Sequence, residues 1–482
     1  MKKLLSIFCI VSLLFSCQEA LEENPKSLAV ETFYNTNAEV EAALAAIYDP
    51  LRSDNAFGAL YIAQLEAYTD YSFGRGSYGI LTTFQGLDGN NEGRTQSMWN
   101  QFYLAIRNAN IVILNVPDGA NLSEEDKLKY IAEAKFLRAF VYFTMVKNWG
   151  GVPVRTEANM TEIEIPRNTA EEVYELIFED LAFAEANLPG VAPLPGKPSL
   201  WAAKTVLADV HFYRQEYQQA RDKSLEVISS ENYSLVPVTV AEDFEKIYGP
   251  TVVTSSEEIF YLKFSRLSGS EGWFFVQFIH HPGSGLFGGG GYYAHYSDVV
   301  ANSTLASMDR DDLRFQLWYP WNIGLGANSV LSKKFSDPDA AGGGRTAGND
   351  YPFYRYADVL LMYAEADARA SGSISSDAME KLNMVHRRAY GYDPNMASEV
   401  DFELADYSAA MFYELVIKER GYETQMEGKR WLDLKRTGQV KERIKAATGK
   451  DVAEKHLLWP IPNSELNFNS LIDPATDQNP GY

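Results

Sequence analysis

The densest helical pattern in the chain runs from Arg355 to Ala370. There Tyr356, Val359, Leu360, Leu361, Met362, Tyr363, Ala364 and Ala366 leave almost no polar direction around a turn of about 3.6 residues. A helix that is apolar on all sides is a buried helix. Its charged exceptions, Arg355, Asp358, Glu365 and Arg369, fall near one stripe at i,i+3 and i,i+4 spacings, so the pattern predicts that Arg355/Asp358 and Glu365/Arg369 pair. Gly372 in the turn Ser371–Ser376 marks a stop, and a second helix follows over Ala378–Ala389. Together they have the length of a roughly 34-residue tetratricopeptide unit.

The theme recurs on both sides. Ala409–Gln425 reads as a helix, Gly428 as a break or bend, and Lys429–Arg436 as a further helix stopped by Gly438. Thr36–Leu51 places Val40, Leu44, Ile47 and Leu51 on one face, and Trp99, Tyr103 and Ile106 share a later helix. Another helix carries Glu133 to Ala139 and ends at Trp149–Pro153; Glu171–Leu188 follows. Trp201–Tyr213 and Tyr217–Ser229 form a second unit of tetratricopeptide type, the first half of a scaffold whose second half is the hairpin around Arg355. Between about 233 and 349 the character changes: Ile259–Phe264 and Trp273–Ile279 are β-prone, while Gly283–Gly291 and Gly342–Gly344 are loops. The expected fold is mainly α, a tetratricopeptide-like scaffold of helical hairpins with a loop-rich, partly β ligand-binding face.

Several spaced motifs then resemble one family. Arg355-Tyr356-Ala357-Asp358-Val359 with Ala364-Glu365-Ala366, Glu419-Arg420, Glu427-Gly428-Lys429-Arg430-Trp431-Leu432-Asp433-Leu434-Lys435-Arg436, Ile461-Pro462 with Glu465-Leu466, and Gln478-Asn479-Pro480-Gly481-Tyr482 stand in the order of the SusD/RagB family. The resemblance implies an outer-membrane lipoprotein that captures nutrients, most often oligosaccharides, for a SusC-like TonB-dependent transporter. In Asn383-Met384-Val385-His386-Arg387-Arg388-Ala389, His386 stands where the family carries Arg, which bears on one helix–helix contact.

Composition narrows the partners. At 482 residues the chain has room for several domains, but helical pattern at both ends without a linker points to one domain over 17–482. The formal charge of −22 argues against nucleic acid or an anionic membrane surface, both of which demand a basic face. The basic stretch Lys435–Lys450 reads as a solvated face. At the N-terminus, Lys2-Lys3 followed by Leu4–Leu14 reads as a secretory signal over 1–16, since the apolar run falls short of the ~20 residues a membrane span needs. Leu14-Phe15-Ser16-Cys17 resembles the lipobox of bacterial lipoproteins, which implies cleavage before Cys17, its acylation and the loss of Cys9. Several acyl chains are needed for durable anchoring. The acidic tether Gln18–Glu23 resembles a surface-export signal and implies the outer face of the outer membrane.

No catalytic set emerges. Arg420, Glu423, Glu427 and Arg430 would share one face if the helix ran through Gly428. A flanking Arg favours ionised carboxylates, whereas a general acid must hold its proton, so the four read as a structural ion-pair network with Trp431 beneath. Gly283-Ser284-Gly285-Leu286-Phe287-Gly288 matches the dinucleotide glycine pattern but runs into Gly289-Gly290-Gly291 instead of opening a helix. His280, His281 and His295 lack zinc spacing and read as loop residues, so neither metal nor cofactor is expected. Two loop regions are rich in aromatics, Thr69–Tyr78 and Trp273–Trp321. A sugar ring pairs an apolar C–H face with a rim of hydroxyls, and such loops supply flat rings beside polar groups. Asp70, Tyr71, Tyr78, Trp273, Tyr296, Trp318 and Trp321 are the expected ligand contacts. Two rivals remain: a surface glycoside hydrolase, which needs a carboxylate pair in a cleft, and a scaffold for peptide or protein partners.

Overall fold

The computed structural model describes residues 33–267 and 271–482. The signal segment, Cys17 and the Gln18–Glu23 tether lie outside the described residues. The long helices are α1 (Asn37–Arg52), α2 (Leu60–Glu66), α3 (Gly89–Asn115), α4 (Glu124–Trp149), α5 (Ala170–Asn187), α6 (Leu200–Tyr213) and α7 (Tyr217–Ser229). After a long insert come α8 (Tyr356–Ser371), α9 (Ser376–Ala389), α10 (Ala409–Glu423), α11 (Arg430–Arg436) and α12 (Val440–Thr448). Their starts are chemically specified. At α1 the Glu39 N–H donates to the Thr36 hydroxyl, and the Glu39 carboxylate accepts the Thr36 N–H at 2.8 Å. Thr169 and Glu172 repeat this reciprocal cap at α5.

Neighbours in the chain are neighbours in space. Helix α3 packs on α1 and α4, α5 on α4 and α6, and α7 on α6. The series then continues across the insert, because α7 packs on α8, which in turn receives α9 and α10. The two halves expected from the sequence are therefore joined at α7/α8. The insert closes on itself where β2 (Glu258–Leu262) pairs antiparallel with β6 (Tyr351–Arg355), with Glu258 opposite Arg355 at the entrance to α8. Phe353 of this ribbon sits among Phe57, Phe140 and Phe260 at ring separations of 4.8, 4.6 and 5.3 Å. That stack fuses the ribbon to the helical core.

A second sheet brings the two aromatic loop regions together. β1 (Phe73–Gly74) pairs with β3 (His295–Asp298), which pairs with β5 (Ser329–Ser332), which pairs with β4 (Trp318–Pro320); every pairing is antiparallel. Phe73 stands opposite Tyr296, so loops more than two hundred positions apart in sequence form one surface.

Several expectations change. The run Trp273–Ile279 is not a strand: its second half is a helical turn, Val276–Ile279, with every residue buried. An apolar run buried on all sides carries no period to separate the two states. Lys435–Lys450 is not one solvated face either. Lys435 donates to the Lys147 carbonyl at 2.6 Å, Arg436 is buried, and α12 turns Val440, Ile444 and Ala447 inward. Helix α10 ends at Glu423, and the chain turns through Met426 (φ 59°) and Gly428 (φ 70°). A Cβ at Gly428 would also stand 3.3 Å from the Tyr351 hydroxyl. Arg420, Glu423, Glu427 and Arg430 consequently do not share a helix face.

Candidate functional site

The acidic cluster is the first candidate. Its partners come from other elements. Arg355 donates to Glu423 at 2.8 Å and to Glu427 at 2.7 Å, with Glu257 at 3.4 Å. Arg388 pairs with Glu257 and reaches Glu423 at 2.5 Å. Lys334 reaches Glu427 at 2.5 Å, and Lys429 bridges Glu427 and Asp358 at 2.9 and 2.8 Å. Arg420 pairs with Asp433 at 3.0 Å, and Arg430 clasps Asp70 with two bonds of 2.8 and 2.6 Å. Arg355 gives its side chain to this network and only its backbone N–H to Asp358, at 2.8 Å, so that expected side-chain pair does not form. Glu365 and Arg369 do pair, at 2.7 Å. His386 brings Nδ1 to 3.4 Å from Glu419 and lays its ring on Phe402 at 4.0 Å, making the α9/α10 contact.

Burial by itself would raise the Glu427 pKa, but Arg355, Lys334 and Lys429 outweigh it and hold the carboxyl at about 2. Glu423 is likewise held well below the usual range: burial raises it, and Arg388, Arg355 and Arg314 outweigh that. Both carboxylates are buried and ionised, the reverse of what a general acid requires. Chemically the cluster is an internal brace, and Trp431 beneath it stacks on Tyr68 at 4.9 Å.

The aromatic surface is the second candidate, and it divides the seven expected contacts. Five are buried, and the side-chain polar groups of all but Tyr78, whose hydroxyl has no hydrogen-bond partner, are engaged. Asp70 is 1% exposed in the Arg430 clasp. Tyr71 donates its hydroxyl to Glu66 at 2.5 Å and accepts the Met426 N–H at 2.9 Å. Tyr78 lies 3.8 Å beneath the Arg94 guanidinium. Trp273 is 0% exposed, donates to the Phe57 carbonyl at 3.1 Å and stacks on Tyr351 at 5.5 Å. Trp318 donates its indole N–H to Gln425 and packs edge-on to Tyr71. In this structure none of these five offers a face to a ligand, because the loops fold back and bury their largest rings.

Tyr296 and Trp321 do reach the surface. Tyr296 packs on Phe73 with ring centroids 5.5 Å apart. Trp321 belongs to a row of rings: Tyr319 at 6.1 Å, then His281 at 5.2 Å, then Tyr293 a further 4.6 Å from His281. The Arg75 guanidinium closes the row 4.0 Å over Tyr293. Members of this row are half-buried, and Tyr292 beside it is 52% exposed. Gly283 permits the close approach, since a Cβ there would meet His281 at 3.3 Å and Trp321 at 3.4 Å. The Gly283 N–H donates to His281 Nδ1 at 3.0 Å and fixes the ring.

Sequence reasoning missed His281, Tyr293, Tyr319 and Arg75 as members. Alternation along β4 carried the signal for Tyr319, which must face away from buried Trp318. The other two histidines are interior: His280 sets Nε2 2.6 Å from the Phe335 carbonyl, and burial lowers its pKa to about 4 and that of His295 to about 3. Among the described residues no cluster of His, Cys, Asp or Glu has the arrangement of a metal site.

A groove of about 770 Å³ between α1, α3 and the 194–197 turn is a rival cavity. It is walled by Ala42, Ala45, Ala46, Leu104 and Leu194, and the hydroxyl of Tyr48 in its wall is taken by Glu133 at 2.9 Å. Its lining, which also includes the charged Glu41, Asp49, Arg52, Lys197 and Lys263, holds one aromatic ring, Tyr48, and not the row of ring faces that a sugar chain lies against.

Known proteins show the same architecture. Residues 326–482 match the model of the SusD family, and residues 20–212 match a model described as starch-binding and associating with the outer membrane. SusD-like protein P25 of Formosa agariphila is 27% identical over 99% of this chain and 98% of its own length. A SusD superfamily protein of Parabacteroides distasonis superposes with a TM-score of 0.77 at 26% identity, covering 92% of this chain and 99% of that one. A SusD homolog of Bacteroides thetaiotaomicron reaches 0.80 at 22% identity, over 94% and 98%. With matching models at both ends, a relative aligned end to end and a shared fold, the chain is similar to the SusD/RagB family along its length.

Proposed function

We propose that this protein captures an oligosaccharide on the row Tyr319, Trp321, His281, Tyr293 and Arg75, and releases it unaltered to a SusC-like TonB-dependent transporter. The observation that carries the reading is that row. Successive half-buried rings 4.6–6.1 Å apart, about one sugar unit, bordered by a cation, suit a chain that alternates apolar faces with hydroxyl edges. The outer-membrane, starch-binding description of the model matched at 20–212 supports the ligand class and the location. Residues 17–482 act in this reading as one domain tethered by acylated Cys17 on the outer face of the outer membrane. No helix among the described residues is long and apolar enough to cross a membrane. Capture and release needs no general acid, in keeping with Glu423 and Glu427 being locked as ions.

A glycan array on the soluble chain beginning after Cys17, with product analysis of each hit, tests this directly. Saturable binding without cleavage is the expected result, and Trp321→Ala should weaken the best hit roughly tenfold, a change of ~1.4 kcal/mol. The melting temperature should hardly move, because the Trp321 ring lies at the surface. A blank array would transfer the reading to peptide cargo, and released products would make the protein a hydrolase. Protease shaving of intact cells that left the chain uncut would overturn the surface placement.

A further inference from the structure

The carbohydrate row ends on a cation with almost nothing to hold. A guanidinium carries five N–H donors. Arg75 spends one of them on the Tyr292 carbonyl, at a long 3.4 Å, and otherwise rests on the Tyr293 ring. Among the described residues no carboxylate lies within ion-pair distance of it. Acidic side chains outnumber basic ones 65 to 43, and other arginines find partners readily: Arg138, Arg355, Arg387 and Arg388 each engage at least two carboxylates. Arg94, close by, has no carboxylate either, but it spends its donors on Ser77 and Asn91 at 2.7 Å each. Arg75 alone of these is both poorly satisfied and set at the end of the half-buried row of rings.

We infer that the row selects anionic oligosaccharides, with a carboxylate or sulfate group of the sugar chain seated on the Arg75 guanidinium beside Tyr293. This rests on the capture reading above and adds its chemical class. The fork of a guanidinium matches the two oxygens of a uronate or a sulfate ester, and bonds to charged partners are the strong ones. The overall charge of −22 does not forbid it. At physiological salt, charges beyond about 8 Å are largely screened, so the local cation decides. The nearest acidic group named in this sheet, Asp298, points its Oδ1 at the N–H groups of Val300 and Ala301.

Titration calorimetry on the soluble chain should use three hexasaccharides of equal length: an oligogalacturonate, a sulfated galactan fragment and a neutral gluco-oligosaccharide. One or both acidic probes should bind more tightly than the neutral one, and added sodium chloride should weaken only the acidic ones. Whichever acidic probe wins identifies carboxylate or sulfate as the group read. Arg75→Gln should lower acidic affinity roughly tenfold and neutral affinity by a much smaller factor, and Arg75→Lys should recover part of the acidic loss. Neutral binding that equals acidic binding, unchanged in Arg75→Gln, would overturn the charge selection and leave capture standing. Failure of all three probes and of the array would remove both readings. A melting curve for each variant separates lost affinity from lost folding.

Discussion

Replacing Arg355 by Leu should lower the unfolding free energy by about 3–5 kcal/mol, read from the midpoint of a urea transition. The substitution removes one guanidinium that touches Glu257, Glu423 and Glu427 together and leaves those buried carboxylates short of a counter-charge. Exchanging a whole buried ion cluster for apolar groups is often harmless, but removing a single member strands the charge of the others. Arg355→Lys retains the charge without the fork and should cost less. The network also sets the acid limit. Glu419 and Glu427 have folded pKa values of about 2, below the ordinary glutamate value of 4.5, so their stabilisation is complete above about 4.5 and is lost as pH falls towards 2. In Arg355→Leu that acid-dependent loss should shrink, because Glu427 is then less strongly held as an ion. A fall of under ~1 kcal/mol in the variant would show that the cluster is braced by its other members and that Arg355 is replaceable.

Trp273→Ala should be comparably damaging, at about 3–5 kcal/mol, for a different reason. Its indole is 0% exposed among Tyr351, Phe335 and Phe275, and its N–H is the partner of the Phe57 carbonyl. Truncation opens a cavity and orphans that carbonyl. At temperatures where the variant remains folded, glycan affinity should stay within about twofold, since the ring contacts no part of the exposed row. Trp321→Ala is expected to show the opposite profile. Two tryptophans in one loop region thus separate packing from recognition, and a Trp273→Ala protein of native stability but lost affinity would reverse the assignment.

The two variants also mark where sequence is informative. The scaffold was legible because a helix buried on all sides and caps such as Thr36/Glu39 leave local traces of period and spacing. The motifs around Arg355, Glu419 and Arg430 that point to the family turn out to be largely the buried charge network. They report how the helices are locked, and say little about the ligand. The ligand face was legible only as a region. Its strands are two to five residues long, and β2 meets β6 with register shifts, too short and irregular for alternation to mark inward from outward. Five of seven expected contacts therefore turned inward, while Arg75 gained its place beside the pairing of distant β1 and β3, and His281 through its contact with Trp321. Arg355 misled in a simpler way: its nearest acidic neighbour in sequence was Asp358, but its side chain found carboxylates about 70 and 100 positions away.

The ribbon of β2 and β6 gives the insert an unusual freedom. Because the chain leaves and re-enters the helical stack through two adjacent strands, everything between Leu262 and Tyr351 is a loop whose ends are already closed. Doubling the length of such a loop costs only ~0.6 kcal/mol in closure entropy. Provided that Trp273 still plugs the core, Lys334 and Arg314 still answer Glu427 and Glu419, and a strand still meets Phe73, the rest of the segment can be lengthened, shortened or exchanged without disturbing α7 against α8. A chain built this way can have its outer surface rewritten in one stretch while its foundations stay intact.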